Sequence, residues 1–245
     1  MYEILTVAIA ITLTTSVFVC VKWRNVRCVG KTPMSLLAFS AILFTSGLDV
    51  GLIMFPLVEF PVYATEEAYS FTNPLAIEFG FWGFLVWTFY FLTTFYFCVV
   101  EPKLGLFQYR PIRWINNLII IATCAFTAYL FLSYVPSYIA GISLFQQYLL
   151  VGLIIFIGVF SSTDIRYIKL LSIGSSALFI VLTLVMLGAS GTSVSGYLES
   201  MANLTGYFEN IHRFISPISD YHGWYLCWWF AWSIMIGQFV ARFVC

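Results

Sequence analysis

The chain has 245 residues, 61% of them hydrophobic and only 9% charged, and its 11 basic residues balance 11 acidic ones. A water-soluble domain carries about a quarter charged residues, so this composition excludes an ordinary soluble protein. Zero net charge leaves no electrostatic footprint for nucleic acid, which is excluded as a partner.

Apolar runs of about 20 residues are long enough to cross a bilayer. They predict seven spans, at about 3–21, 34–58, 76–100, 114–133, 138–161, 168–189 and 222–242. The expected class is an all-α, polytopic transmembrane helical protein, one transmembrane domain over 1–245. Met1-Tyr2-Glu3 runs directly into apolar sequence, with neither a positive n-region nor an Arg- and Ser-rich transit pattern. The first span is therefore expected to act as its own insertion signal.

The loops set the orientation. Lys22, Arg24, Arg27 and Lys31 follow the first span, Lys103, Arg110 and Arg113 the third, Arg166 and Lys169 the fifth, and Arg242 ends the seventh. The opposite side holds Arg213 alone. The positive-inside rule then places the N-terminus out and the C-terminus in, in a bacterial cytoplasmic membrane or a mitochondrial inner membrane.

The second span contains Gly47-Leu48-Asp49-Val50-Gly51, followed by Pro56. A mid-membrane aspartate costs several kcal/mol unless it is paired or wet. Glycines around it suggest a helix that can unwind and offer carbonyls to an ion or ligand. A helix kinked at Pro56, with Asp49 protonated or bonded to a nearby hydroxyl, accounts for the same residues. Glu59, near the outer end, reads as structural.

In the third span Trp87 and Tyr90 share a helix face, and Trp82 overlaps it two turns back. Trp87 lies about 16 Å from the predicted start of the span at 1.5 Å per residue. That is too deep for an interfacial belt. A segment at about 197–215 carries Tyr197, Met201, Leu204, Phe208, Ile211 and Ile215 at spacings of three and four. It predicts an amphipathic helix on the outer surface.

The seventh span opens with four tryptophans in nine residues: Trp224, Trp228, Trp229 and Trp232. Trp224 sits at the belt, and the other three are progressively deeper. Indole faces in one patch suit a cation, although aromatic packing between helices uses the same residues. Six cysteines lie without zinc spacing and read as packed or lipid-facing thiols. His212 and His222, the only histidines, share no metal-ligand spacing with Asp49, Glu59 or Glu78. No catalytic residue, metal or cofactor is expected.

These motifs together resemble the betaine/choline/carnitine transporter family. Its members carry GxGxG and then an apolar run and a glutamate, as Gly47-Leu48-Asp49-Val50-Gly51 and Glu59 do here. A tryptophan, another five later and a tyrosine three beyond match Trp82, Trp87 and Tyr90. A WW-xx-W cluster and a closing Ala-Arg match Trp228, Trp229, Trp232, Ala241 and Arg242. The resemblance implies a partial inverted-repeat (LeuT-like) transporter fold, with the first repeat at about 34–189 and one helix of the second at 222–242. It also implies an aromatic cage of Trp82, Trp87, Tyr90, Trp228, Trp229 and Trp232, with Gly47, Asp49 and Gly51 as the unwound-helix, ion-binding candidates. The pattern departs in places. Asp49 replaces the middle glycine, Leu226 stands where another tryptophan is common, and Tyr221-His222-Gly223 replaces an Asp-Trp-Thr opening.

The seven spans correspond to the second through eighth of the family's twelve. Alternating access needs one repeat to move against another, so autonomous transport is not expected. The expected role is that of a transporter-derived structural or accessory subunit of a larger membrane complex, with membrane lipids and other subunits as partners. The alternative is a transporter or binding protein for quaternary ammonium solutes, completed by a partner chain or by self-association.

Overall fold

The structure, a computed structural model, describes residues 2–54, 59–161 and 163–244, except the side chains of 46–54 and 138. The described residues form helices and turns without a strand. Five helices are long and apolar enough to cross a membrane: Tyr2–Lys22 (α1), Pro74–Leu104 (α4), a helix beginning at Arg110 (α5), Leu144–Ser161 (α6) and Ile165–Ala189 (α7). Two further long helices, Leu36–Met54 (α2) and Asp220–Val240 (α9), complete the set expected from the apolar runs. Phe60–Thr65 (α3) and Val194–Ala202 (α8) are short.

Polar caps mark several starts. Asn73 accepts from the Ala76 N–H ahead of α4, Asp164 from Arg166 ahead of α7, Ser193 from Gly196 ahead of α8, and Ser219 from His222 ahead of α9. Each satisfies a donor that a helix N-terminus leaves open. Some boundaries differ from the sequence reading. α5 spans Arg110–Tyr138 and carries Pro136 in its last turn, so the helix outlasts the expected end near 133. The chain then turns at Gly141, φ +76°, and α6 starts only at Leu144.

Two π-turns, Phe81–Val86 and Tyr96–Val100, interrupt α4. A π-turn adds a residue to one turn and re-phases the helix beyond it. Buried pairs at Ala76–Ile77 and Gly80–Phe81 are followed by Leu85–Val86 and Phe89–Tyr90, so one extra residue at the first π-turn keeps the same face of α4 buried.

α1, α4 and α9 pack together, with α3 closing one end, and the buried core runs between α4 and α9. α5 packs on the flank of α9, where Asn116 and Gln238 exchange side-chain amide hydrogen bonds of 3.2 and 3.5 Å. α2 and α7 pack on each other, with Phe44 and Phe179 at 5.2 Å, and α6 packs on α5 and α7.

α1 and α9 run side by side in the same direction. At one end Tyr2 donates to Asp220 at 2.7 Å. At the other, the strand-like linker 30–34 bonds to the chain after α9: Gly30 N–H to Val244 O and Thr32 N–H to Arg242 O, both 2.9 Å. A Cβ on Gly30 would lie 2.2 Å from the Arg242 carbonyl oxygen, so only glycine allows this approach. Lys31, Arg113 and Arg242 line one cavity at this end, which places basic residues of three different segments together.

The segment expected to form one amphipathic helix over 197–215 is instead broken. α8 gives way to turns at Asn203–Thr205 and Gly206–Glu209, then to a 3-10 stretch at Ile211–Ile215. Two glycines explain the path. Gly206 lies against Thr72, where a Cβ would meet Oγ1 at 2.8 Å, and Gly80 of α4 admits the Phe214 ring, which a Cβ would meet at 2.5 Å. Phe214, off the expected stripe, is fully buried, while Met201, Phe208 and Ile215 of that stripe are exposed. Arg213 covers the Phe71 ring at 4.7 Å, a cation–π contact.

Candidate functional site

The site lies where α9 crosses α4. Gly237 makes the crossing close, since a Cβ there would fall 2.5 Å from Thr93 Cβ. Phe89 stacks on Phe230 at 4.2 Å, one turn above. Small residues at a helix crossing let backbones approach, which is how helices associate where lipid removes the drive to leave water.

This crossing brings five of the six cage candidates into one cluster. Trp229 is its hub. It meets Trp82 edge to face at 4.3 Å, Trp228 at 4.7 Å and Tyr90 at 6.1 Å, and Trp228 meets Trp232 at 5.6 Å. Trp229 is only 2% exposed. Its faces are occupied by other rings, so the space between the indoles is filled by the protein itself. The Trp228 and Trp232 N–H groups are buried without an acceptor among the described residues.

Trp87 stands apart. It touches Tyr90 at 6.0 Å, is 43% exposed, and lines a groove with Trp23, Cys20 and Phe39 from α1, its following turn and α2. The π-turn before Trp87 changes the phase that the i, i+5 and i+8 spacing assumes in a regular helix. The α2 backbone is helical through Gly47, Asp49 and Gly51. The Asp49 side chain and residues 55–58, including Pro56, lie outside the described residues.

A second constellation was not anticipated as a unit. Glu59, directly before α3, and Glu78, in the first turns of α4, interact side chain to side chain. Tyr221 donates to Glu59 Oε1 and Tyr225 to Glu78 Oε1, both at 3.4 Å. Tyr63 and Trp82 also direct their donors at Glu78. Glu59 is 3% exposed, and the Oε2 atoms of both carboxyls are enclosed without a donor among the described residues. A carboxylate cannot donate, so the donors to this pair come from the phenols around it.

The sequence did carry a signal for this pair. Glu59–Tyr63, Glu78–Trp82 and Tyr221–Tyr225 are each i, i+4, one above the other on a helix face. Each carboxyl thus has an aromatic donor one turn away. Which carboxyl faces which was decided by the packing of three separate segments.

His222 is structural. Its Nδ1 accepts from the Ile218 N–H at 3.0 Å, and its ring lies 3.8 Å from Phe81. Beside it the Tyr69 hydroxyl bonds Ser219 Oγ at 2.6 Å, and burial pushes that phenol up to about 12. Among the described residues no three His, Cys, Asp or Glu side chains converge as metal ligands.

No family model matches the chain, and neither a curated protein nor a solved structure matches it. What the fold and composition define is the class: a helical protein with several helices able to span a membrane.

Proposed function

We propose that this chain is a transporter-derived integral membrane protein that serves as a structural or accessory subunit of a larger membrane complex. It would be built on a partial inverted-repeat transporter fold like that of the betaine/choline/carnitine family. The proposed setting is a mitochondrial inner or bacterial cytoplasmic membrane, with the N-terminus out. The observation that carries the reading is the closed indole cluster. With Trp229 almost fully enclosed and Trp82 at 4.3 Å from it, a quaternary ammonium between these rings would have to displace a buried side chain. A rigid aromatic core is the property a structural subunit needs. Further support comes from α6 and α7, which bury only Ser161 and Ser172 respectively. Their remaining faces are available to lipid and to neighbouring subunits.

The test is extraction from the native membrane in mild detergent, followed by native sizing and titration with choline and glycine betaine. The expected result is a discrete assembly well above the 27.9 kDa of the chain, with no saturable binding of either solute. A lone monomer that binds choline or betaine, with affinity weakened by Trp229→Ala, overturns the reading in favour of a quaternary ammonium transporter or binding protein.

A further inference from the structure

The Glu59–Glu78 pair poses an electrostatic problem that the indole cluster does not. Two enclosed carboxyls stand together with only phenol hydroxyls bonded to them. No Lys, Arg or His is among the groups that interact with either carboxyl among the described residues. An uncompensated buried charge costs several kcal/mol, so each carboxyl must either hold a proton or receive a cation from outside. Around the pair two buried polar atoms lack a partner among the described residues: Glu59 Oε2 and the hydroxyl of Tyr63, a residue 2% exposed.

A route from outside exists. A groove of about 390 Å³ lies between α5 and α9 and reaches Glu59. Phe126, Trp224, Trp228 and Tyr221 wall it. A bare metal ion needs several oxygen ligands around it, which these walls do not supply. Aromatic faces with a carboxylate at one end suit an organic cation. Binding cavities for such small molecules run from about 300 Å³ upward and are mostly apolar with a few placed polar groups.

We propose that Glu59 and the α5–α9 groove form a binding site for a lipophilic amine in its protonated form. The ammonium donates to the Glu59 carboxyl where it lines the groove, and the apolar body lies against Phe126, Trp224 and Trp228. The site is separate from the closed cluster around Trp229, so it stands whether or not the chain serves as an accessory subunit.

The test uses the full chain in detergent and three probes of one body: 2-phenylethylamine, the neutral 2-phenylethanol, and the quaternary phenethyltrimethylammonium. Tryptophan fluorescence and thermal shift report binding, since Trp224 and Trp228 line the groove. The amine is expected to bind saturably, and the alcohol and the quaternary salt about tenfold or more weaker. Glu59→Gln should cost the amine a similar factor. Ala122→Phe, which fills the groove without touching either carboxyl, should abolish binding and keeps the test informative if Glu59→Gln fails to fold. Equal binding of amine and alcohol, or unchanged affinity in Glu59→Gln, overturns the proposal and leaves an apolar groove only. Tighter binding of the quaternary salt overturns the donated hydrogen bond. No saturable amine signal overturns it in favour of a pair neutralised by two protons. Choline and betaine are absent from this titration, so its failure is distinct from failure of the accessory reading.

Discussion

α9 and α7 are both long helices, yet they are used in opposite ways. α9 buries ten of its 21 residues, including Trp229, Trp232, Ser233 and Gly237. α7 has 25 residues and buries only Ser172. The more apolar helix is the less enclosed one. α7 is long and apolar enough to cross a membrane, with a mean hydropathy of 2.4, whereas α9 is interrupted by Asp220, His222 and Gln238. Lipid tails are as apolar as leucine, so apolarity gives helices no reason to associate within the bilayer. Close packing and polar contacts do. α9 has both, through Gly237 against Thr93 and through Tyr221 and Tyr225 on the two carboxyls.

The largest expected break in this contrast is Trp229→Ala. Deleting a buried aromatic hub and leaving its cavity costs about 3–5 kcal/mol, read as a lowered midpoint of thermal unfolding in detergent. The matched substitution Leu182→Ala on α7, where the side chain is 52% exposed, should leave the midpoint of the isolated chain unchanged and instead weaken native assembly. An equal loss in both variants would erase the distinction between the two helices.

Gly237→Ala should cost about 1–3 kcal/mol, as overpacking does. The new Cβ meets not only the Thr93 side chain but also its carbonyl carbon, at 2.8 Å, so Thr93→Ala in the same chain should rescue it only in part. Gly30→Ala sharpens a different junction. It should break the bonds from 30–34 to the end of the chain, and proteolysis near 30 and 242 should quicken while the α4–α9 core keeps its midpoint.

The smallest effect belongs to the exposed start of α7. The Arg166 side chain and backbone N–H, bonded to Asp164 at 2.7–3.1 Å, hold its carboxyl below the usual range. A lowered carboxyl stabilises the fold above its unfolded value, and that contribution is lost as the pH falls through the lowered one. Asp164→Asn keeps a capping oxygen but should flatten this part of the stability profile between those two values.

Much of this was readable in advance, and the reasons for the rest are specific. Each long apolar run became a helix, because a helix satisfies its own backbone hydrogen bonds whatever surrounds it. The tryptophans of the WW stretch do converge with Trp82 and Tyr90. The spacing did not predict the π-turn between Trp82 and Tyr90, nor that Trp87 lines the groove beside α1 and α2. The stripe over 197–215 was read as one helix, but the chain broke it to seat Phe214 against Gly80.

The sequence by itself determined the class: length, apolar runs and sparse charge leave room for little besides a bundle of membrane helices. Local caps and helix periodicity follow from it as well, since they depend on neighbours within a turn. Only the tertiary structure decided what the polar and aromatic side chains face. Glu59 and Glu78 are 19 positions apart in the sequence, and Tyr221 and Tyr225 lie at the far end of it. Contacts of that kind depend on which helices cross and at what depth. Gly237 sets the α4–α9 crossing by what it leaves out, and Gly80 and Gly206 seat the 203–215 segment on α4 and the turn before it.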